Sequence, residues 1–295
     1  MHPTLFEIPI PGREHGIPVP AYGTMLMVGF LLAVWMARRR AAALGLQKIE
    51  LLDMGIFAII GGVAGARLMH VIIYWKDYFL DDAMWPQWMG PFGWLGAMAA
   101  TWNGGLVYYG GLGGGMLALW LYTRRRKIPY IDALDFVAAP AAVGLAMTRV
   151  GCFLNGCCYG CASDLPWAVT YPDTSHVYKG QLLAYAVHPT QLYETLAALA
   201  MAAFVWWLVW PRRKFAGQAA FTFGTLYAVW RFFNEFLRAD SFPDGPTLSQ
   251  MSVFQYISLG LVLAFGAAYL AAWRIRRPPF QPPEPKPGEG DERRP

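Results

Sequence analysis

All four cysteines of this 295-residue chain fall in one run, Thr148-Arg149-Val150-Gly151-Cys152-Phe153-Leu154-Asn155-Gly156-Cys157-Cys158-Tyr159-Gly160-Cys161, directly after an arginine that closes an apolar helical pattern. An arginine at the edge of a hydrocarbon layer is costly unless it is paired or faces a polar cavity, so its default reading is a binding site. A second charged set, Tyr227, Arg231, Glu235 and Arg238, recurs at helical-turn spacing and lies on one face of a helix. The phrase Val187-His188-Pro189-Thr190-Gln191-Leu192-Tyr193-Glu194 adds a histidine at a helix start. Guanidinium groups such as those of Arg149 and Arg231 bind phosphate bidentately and stay charged in a low dielectric. A thiol brought into such a positive site is more readily a thiolate, its nucleophilic form. Glu235, Tyr109 and His188 are the candidate proton acceptors, and the residue pattern does not choose among them. For His188, capping of the helix start weighs more than catalysis. An Arg231–Glu235 pair also has a plain reading, mutual neutralisation within one helix.

The cysteine spacing fits several chemistries. Four thiolates suit zinc, and paired cysteines in an oxidising compartment form disulfides. Buried free cysteine also packs as a small apolar residue. Adjacent Cys157 and Cys158 do not easily reach one ion together, and no histidine lies within the run. Disulfide or packing therefore ranks ahead of metal, and neither a metal nor another cofactor is expected.

These residues need helices to carry them, and composition says in what solvent. The chain is 56% hydrophobic and only 15% charged, with a mean hydropathy of +0.32 and thirteen tryptophans. That describes an all-α polytopic membrane protein. The net charge of +5 does not signal nucleic acid, because the basic residues form short clusters beside apolar runs. About seven transmembrane helices are expected, with a small external head domain and an interfacial arm. Residues 1–20 form an external N-terminal segment without the marks of a cleaved signal peptide. Residues 21–75 hold the first two spans, Ala21–Ala37 and Leu51–Trp75. Residues 76–103, dense in tryptophan, form the arm along the outer face. Residues 104–150 hold the third and fourth spans, Leu106–Tyr122 and Ile131–Thr148. Residues 151–189 form the head domain, with a short strand at Trp167–Tyr171. Residues 190–274 hold the last three spans, and residues 275–295 a disordered tail. Gly61 and Gly65 permit close helix contact, and the Gly110-Gly111 pair permits close helix packing or close approach of a ligand. Arg67 is either an interfacial arginine or a functional one.

Basic clusters at Arg38–Arg40, Arg124–Lys127, Arg212–Lys214 and Arg274–Arg277 fall on one side of that topology. The positive-inside rule then puts the amino terminus outside, the carboxyl terminus in the cytoplasm and the chemical residues toward the outer face.

The Arg149-x-Gly-x-Phe-x-Asn-Gly run closing at Gly160, the His188-Pro189-Thr190-Gln191-Leu192-Tyr193-Glu194 phrase, Tyr22-Gly23 and the Tyr227–Arg238 segment occur in the order found in one family. From about Tyr22 to Trp273 the chain resembles the prolipoprotein diacylglyceryl transferases, in a cysteine-rich form. Tyr109 stands where many members carry a histidine, and Cys152 and Cys157 replace a common asparagine and an acidic residue. The resemblance implies a multi-pass enzyme of the bacterial inner membrane with its active site on the periplasmic side. Its substrates would be phosphatidylglycerol and the lipobox cysteine of a preprolipoprotein, with glycerol phosphate released. Arg149, Arg231, Glu235, Tyr109 and His188 are then the catalytic candidates. Tyr22, Asn155, Gly156, Gly160, Tyr227 and Arg238 are the substrate-binding candidates. A monomer is the simplest expectation, since one chain supplies all of these groups. A membrane thiol–disulfide oxidoreductase using Cys152–Cys161 is the alternative, and a lipid or ion transporter fits less well, because the two halves show no inverted repeat.

Overall fold

The computed structural model describes residues 4–9, 16–76, 96, 107–171, 186–239 and 251–282. The chain divides into two compact units, one of Met1–Arg40 with Leu134–Gln281 and one of Ala41–Ala133 with Pro282–Pro295. Most of the tryptophan-rich arm expected over 76–103 lies outside the described residues.

The described part of the N-terminal segment is a hairpin, β1 (Thr4–Ile8) pairing antiparallel with β2 (Ile17–Pro20). Seven long helices follow among the described residues: α1 (Ala21–Arg38), α2 (Lys48–Ile73), α3 (Tyr108–Arg125), α4 (Tyr130–Asn155), α5 (Thr190–Ala203), α6 (Gln218–Glu235) and α7 (Val253–Ile275). Five described segments are long and apolar enough to cross a membrane: Ala21–Arg38, Ile49–Ile73, Tyr130–Asn155, Thr190–Arg212 and Val253–Ile275. The protein is a polytopic membrane protein. Helix α3 falls short in hydropathy because glycine replaces so many of its side chains, and α6 because it carries Gln218, Arg231, Asn234 and Glu235.

In the unit of Ala41–Ala133, α2 and α3 pack backbone to backbone. A Cβ placed on Gly61 would lie 2.7 Å from the Gly114 carbonyl oxygen, and one on Gly65 would lie 2.8 Å from the Gly114 Cα. Gly61 and Gly65 thus serve the close helix contact that their spacing predicts. The seam is tied at its ends. Tyr122 donates to the Glu50 carbonyl at 2.7 Å, Arg126 pairs with the Glu50 carboxylate at 2.6 Å, and the Val107 amide donates to Ala66. Arg67 is 8% exposed, so it is a buried arginine and not an interfacial one.

In the other unit, α4 is longer than its apolar run. It continues through Gly151 to Asn155, so Arg149 lies on the helix as expected and Cys152, expected in the segment after the span, sits on its last turn. Helix α5 passes into a π-helical stretch, Phe204–Val209, and a 3-10 turn, Trp210–Arg212, before Arg213 turns extended. Arg40, just beyond α1, lies over the Trp206 ring and donates to the Trp206 carbonyl at 2.7 Å, which fastens α1 to that stretch. Helix α6 starts on Asp135 of α4, whose two carboxylate oxygens accept the Gly217 and Ala220 amides at 2.8 Å each. A buried carboxylate there satisfies otherwise orphan donors and meets the positive end of the helix. Helix α7 is capped by Ser252 and Gln255 in a capping box. The Ala216 amide donates to the Arg277 carbonyl at 2.9 Å, so the expected disordered tail is anchored at its start. The strand expected at Trp167–Tyr171 reduces to one bridge, Val169 with Val187, among the described residues.

Candidate active site

The site is assembled from the ends of α1, α4, α5 and α6, all in the unit of Met1–Arg40 with Leu134–Gln281. Its floor is made by the turn that ends α4. Gly156 has φ of 77° and Cys158 φ of 64°, so the backbone turns left-handed twice within three residues. For cysteine that conformation is unfavourable and needs support from its surroundings. The support comes from α5, where Thr190 donates its hydroxyl to the Cys158 carbonyl at 2.8 Å and Gln191 its amide to the Cys157 carbonyl at 2.7 Å. Both side chains are buried. Gln191 also donates to the Tyr171 hydroxyl at 2.8 Å. The polar phrase at the start of α5 therefore builds the cysteine turn.

Gly160 is where three segments meet. Its amide donates to the His188 carbonyl at 2.9 Å, and the next amide, of Cys161, donates to the Leu237 carbonyl at 2.8 Å. A Cβ there would lie 2.6 Å from the His188 Cβ and 2.8 Å from the Thr190 methyl, so only glycine fits. The same contacts dock the chain after α6, since Gly160 bridges Arg238.

Two carboxylates organise the arginines. Glu194 of α5 lies 3.0 Å from Arg149, Oε2 to Nε, and accepts the Tyr227 hydroxyl at 2.9 Å on Oε1. The Arg149 contact is an ion pair by distance without the alignment of a hydrogen bond. Glu235 of α6 pairs with Arg231 at 2.7 Å and with Arg238 at 3.7 Å, both on Oε2, while Ser252 donates to Oε1 at 3.3 Å. Both carboxylates are buried, whereas the Arg149 and Arg231 side chains keep 18% and 17% of their surface open. Buried charges persist only when paired, and the openings leave the cations accessible to a further anion.

The cysteine turn lies between these sets. Cys158 is in electrostatic reach of both Arg238 and Arg149, and Tyr22 at the start of α1 is in reach of Arg149 and of Cys152, Cys157 and Cys158. Tyr22 also backs onto Gly151, where a Cβ would come within 3.3 Å of its Cα. The four cysteines are free thiols in the structure. Hydrogen bonds from Cys152 and Cys157 to Cys158, aided by the two arginines, push the Cys158 thiol below its usual range. Asn155 hydrogen-bonds Cys157 from the last residue of α4.

A family model described as prolipoprotein diacylglyceryl transferase matches residues 11–272. The chain belongs to that family. Among its relatives, a phosphatidylglycerol–prolipoprotein diacylglyceryl transferase of Nitratidesulfovibrio vulgaris (strain Miyazaki F) is 34% identical over 87% of this chain and 88% of its own length. Proteins of the same name from Chromohalobacter salexigens and Clostridium tetani are 33% and 30% identical, over 87% and 89% of this chain and 88% and 94% of their own. The protein is thus a membrane-embedded transferase of lipoprotein biosynthesis.

Against the sequence expectations, the transferase brings Tyr22, Arg149, Asn155, Gly156, Gly160, Tyr227, Arg231, Glu235 and Arg238 into one compact unit. His188 belongs to it as well. Its Nδ1 lies 3.3 Å from the Tyr193 hydroxyl, which also accepts the Trp167 indole at 2.7 Å. Burial pushes the His188 ring below its ordinary value, so it is neutral at neutral pH. Tyr109 is the one candidate carried by the other unit, on α3, with its residue 49% exposed. Glu194, which the sequence reading did not single out, joins the site through its contacts with Arg149 and Tyr227. The signal was available: an acidic residue within an apolar span must find a cation, and Arg149 was already at hand.

Proposed function

We propose that the transferase moves the diacylglyceryl group of phosphatidylglycerol to the thiol of the lipobox cysteine of a preprolipoprotein, the first step of lipoprotein maturation. What supports this most is the pairing of two buried glutamates, Glu194 and Glu235, with arginines that stay partly open. The reaction needs a fixed cationic surface where a phosphate monoester departs. The lipobox sulfur attacks the glyceryl carbon bearing the phosphate ester. The carbon–oxygen bond breaks, its electron pair goes to the phosphate oxygen, and glycerol phosphate leaves. In the net reaction the thiol proton ends on the released phosphate.

In this reading Arg149 and Arg231 hold the phosphate, with Arg238 and Tyr227 beside them. Tyr22, Asn155, Gly156 and Gly160 shape the floor. Glu194 and Glu235 are positioning residues, since their oxygens are already engaged by Arg149, Tyr227, Arg231, Arg238 and Ser252. His188 is assigned to positioning as well, through Tyr193. The substrates enter from the lipid bilayer, the chain acts as a monomer, and no nucleic acid is involved.

The enzyme sits in the bacterial inner membrane with its amino terminus and site toward the periplasm and its carboxyl terminus in the cytoplasm. The support is that α1, α3, the Trp210–Arg212 turn and α7 all end in basic clusters. A transfer assay with purified protein, phosphatidylglycerol and a lipobox peptide tests the function. Wild type lipidates the peptide, while Arg149→Ala and Arg231→Ala fall by two orders of magnitude or more. Full transfer by Arg231→Ala overturns the assignment.

A further inference from the structure

The turn after α4 carries a feature that diacylglyceryl transfer does not use. The Sγ atoms of Cys152, Cys157 and Cys158 all lie within 4.8 Å of one another. From the sequence, the adjacency of Cys157 and Cys158 argued against both reaching one ion. The left-handed turn removes that objection, because Gly156 and Cys158 at positive φ fold the vicinal thiols back toward Cys152 on the helix end. We propose that Cys152, Cys157 and Cys158 form a trigonal three-thiolate site for a soft monovalent cation, Cu(I).

Geometry supports the size. With metal–sulfur bonds of about 2.3 Å, three sulfurs around one ion stand roughly 4 Å apart. Closing from the observed separations takes less than about one ångström, within reach of side-chain rotation. The backbone beneath is already fixed, since the carbonyls of Cys157 and Cys158 are held by the buried Gln191 and Thr190. Such a prebuilt site loses little freedom on binding.

Ligand type decides the ion. The three donors are thiol sulfurs only, and thiolates select Cu(I) and zinc over harder cations. Zinc prefers four tetrahedral ligands, whereas three sulfurs complete the coordination of Cu(I). Charge decides the setting. Binding breaks three S–H bonds, releases three protons to solvent and forms three Cu–S bonds without a redox change. The product carries two negative charges, and Arg149 and Arg238 both lie in electrostatic reach of Cys158. Cys161, buried nearby in the chain, is not part of the trio and serves as an internal control.

The test uses the full-length protein in detergent, reduced with a phosphine under anaerobic conditions and titrated with Cu(I) against a chromophoric Cu(I) chelator. The expected result is one Cu(I) per chain, three sulfur neighbours by X-ray absorption on the wild-type complex, and at least tenfold weaker binding in each of Cys152→Ser, Cys157→Ser and Cys158→Ser. Cys161→Ser binds as wild type. A parallel Zn(II) titration should give weaker binding, and tighter zinc overturns the choice of Cu(I). Failure to compete for Cu(I), a sulfur count below three, or equal weakening by Cys161→Ser overturns the site. So does a disulfide within the trio, found by thiol counting on protein isolated without reductant. None of these readouts depends on transferase activity.

Discussion

Glu194 of α5 holds Arg149 of α4 with 3.0 Å between Oε2 and Nε, and does so at 1% side-chain exposure. Its other oxygen takes the Tyr227 hydroxyl from α6. One carboxylate therefore joins three helices at the floor of the site, and Arg149 is aimed by a residue far from it in sequence.

Glu194→Gln keeps an acceptor for Tyr227 but leaves Arg149 as an uncompensated charge. Breaking one side of a buried pair costs about 3–5 kcal/mol. The variant should lose thermal stability in detergent by an amount of that order and drop at least tenfold in peptide lipidation. Glu194→Asp, with the charge kept and the reach shortened, should fall between it and wild type.

Arg231 and Arg238 share Glu235, yet they differ in openness, with side chains 17% and 10% exposed. Arg231→Lys keeps a positive charge but loses the planar fork that matches a phosphate. Transfer by Arg231→Lys should therefore fall about 10²-fold, the scale of losing one electrostatic donor at a developing charge. The unfolding midpoint should move little, which separates a phosphate role from a structural one.

Gly160→Ala forces a methyl between the His188 Cβ and the Thr190 methyl. Overpacking of this kind costs about 1–3 kcal/mol. Stability should fall by that amount, and activity with it, because the strain is applied to the segments that carry Cys158 and Arg238.

Replacing all four cysteines by serine should leave lipidation within about tenfold of wild type, because the reaction's nucleophile is the lipobox thiol. Loss of all transfer in a folded fourfold variant would return the thiols to the chemistry.

His188 sets a pH dependence. Burial lowers its folded-state value below the ordinary 6.5. The unfolded chain thus binds the proton first on acidification, and its uptake favours unfolding. The stability this ring contributes is full above about pH 6.5 and is lost progressively as pH falls toward the lower folded-state value. Unfolding midpoints taken at neutral and at mildly acidic pH should differ more for wild type than for His188→Gln.

Much of this was legible before any coordinates. Helix α1 starts at the expected residue and ends one residue on, and α2, α3 and α4 start within about three residues of expectation, because apolar runs closed by arginines leave little choice in a membrane. The two-stranded hairpin at the start was not legible. Its strands are short, β2 carries Pro18 and Pro20, and pairing between strands separated by a connection is not a property of either strand alone. The extension of α4 through Gly151 was likewise hidden, since two glycines and a run of cysteines read locally as a turn.

By itself the sequence determined the membrane class, the helices, the family motifs and the presence of arginines and cysteines at one end of α4. Those follow from composition and period, which are local. Only the tertiary structure decided that Arg149 answers to Glu194, that Glu235 serves Arg231 and Arg238 together, and that Cys152, Cys157 and Cys158 converge. The reason is the cost of burying charge and polar backbone. Each such group must find a partner wherever packing brings one, and which partner it finds is set by how helices distant in sequence lie against one another.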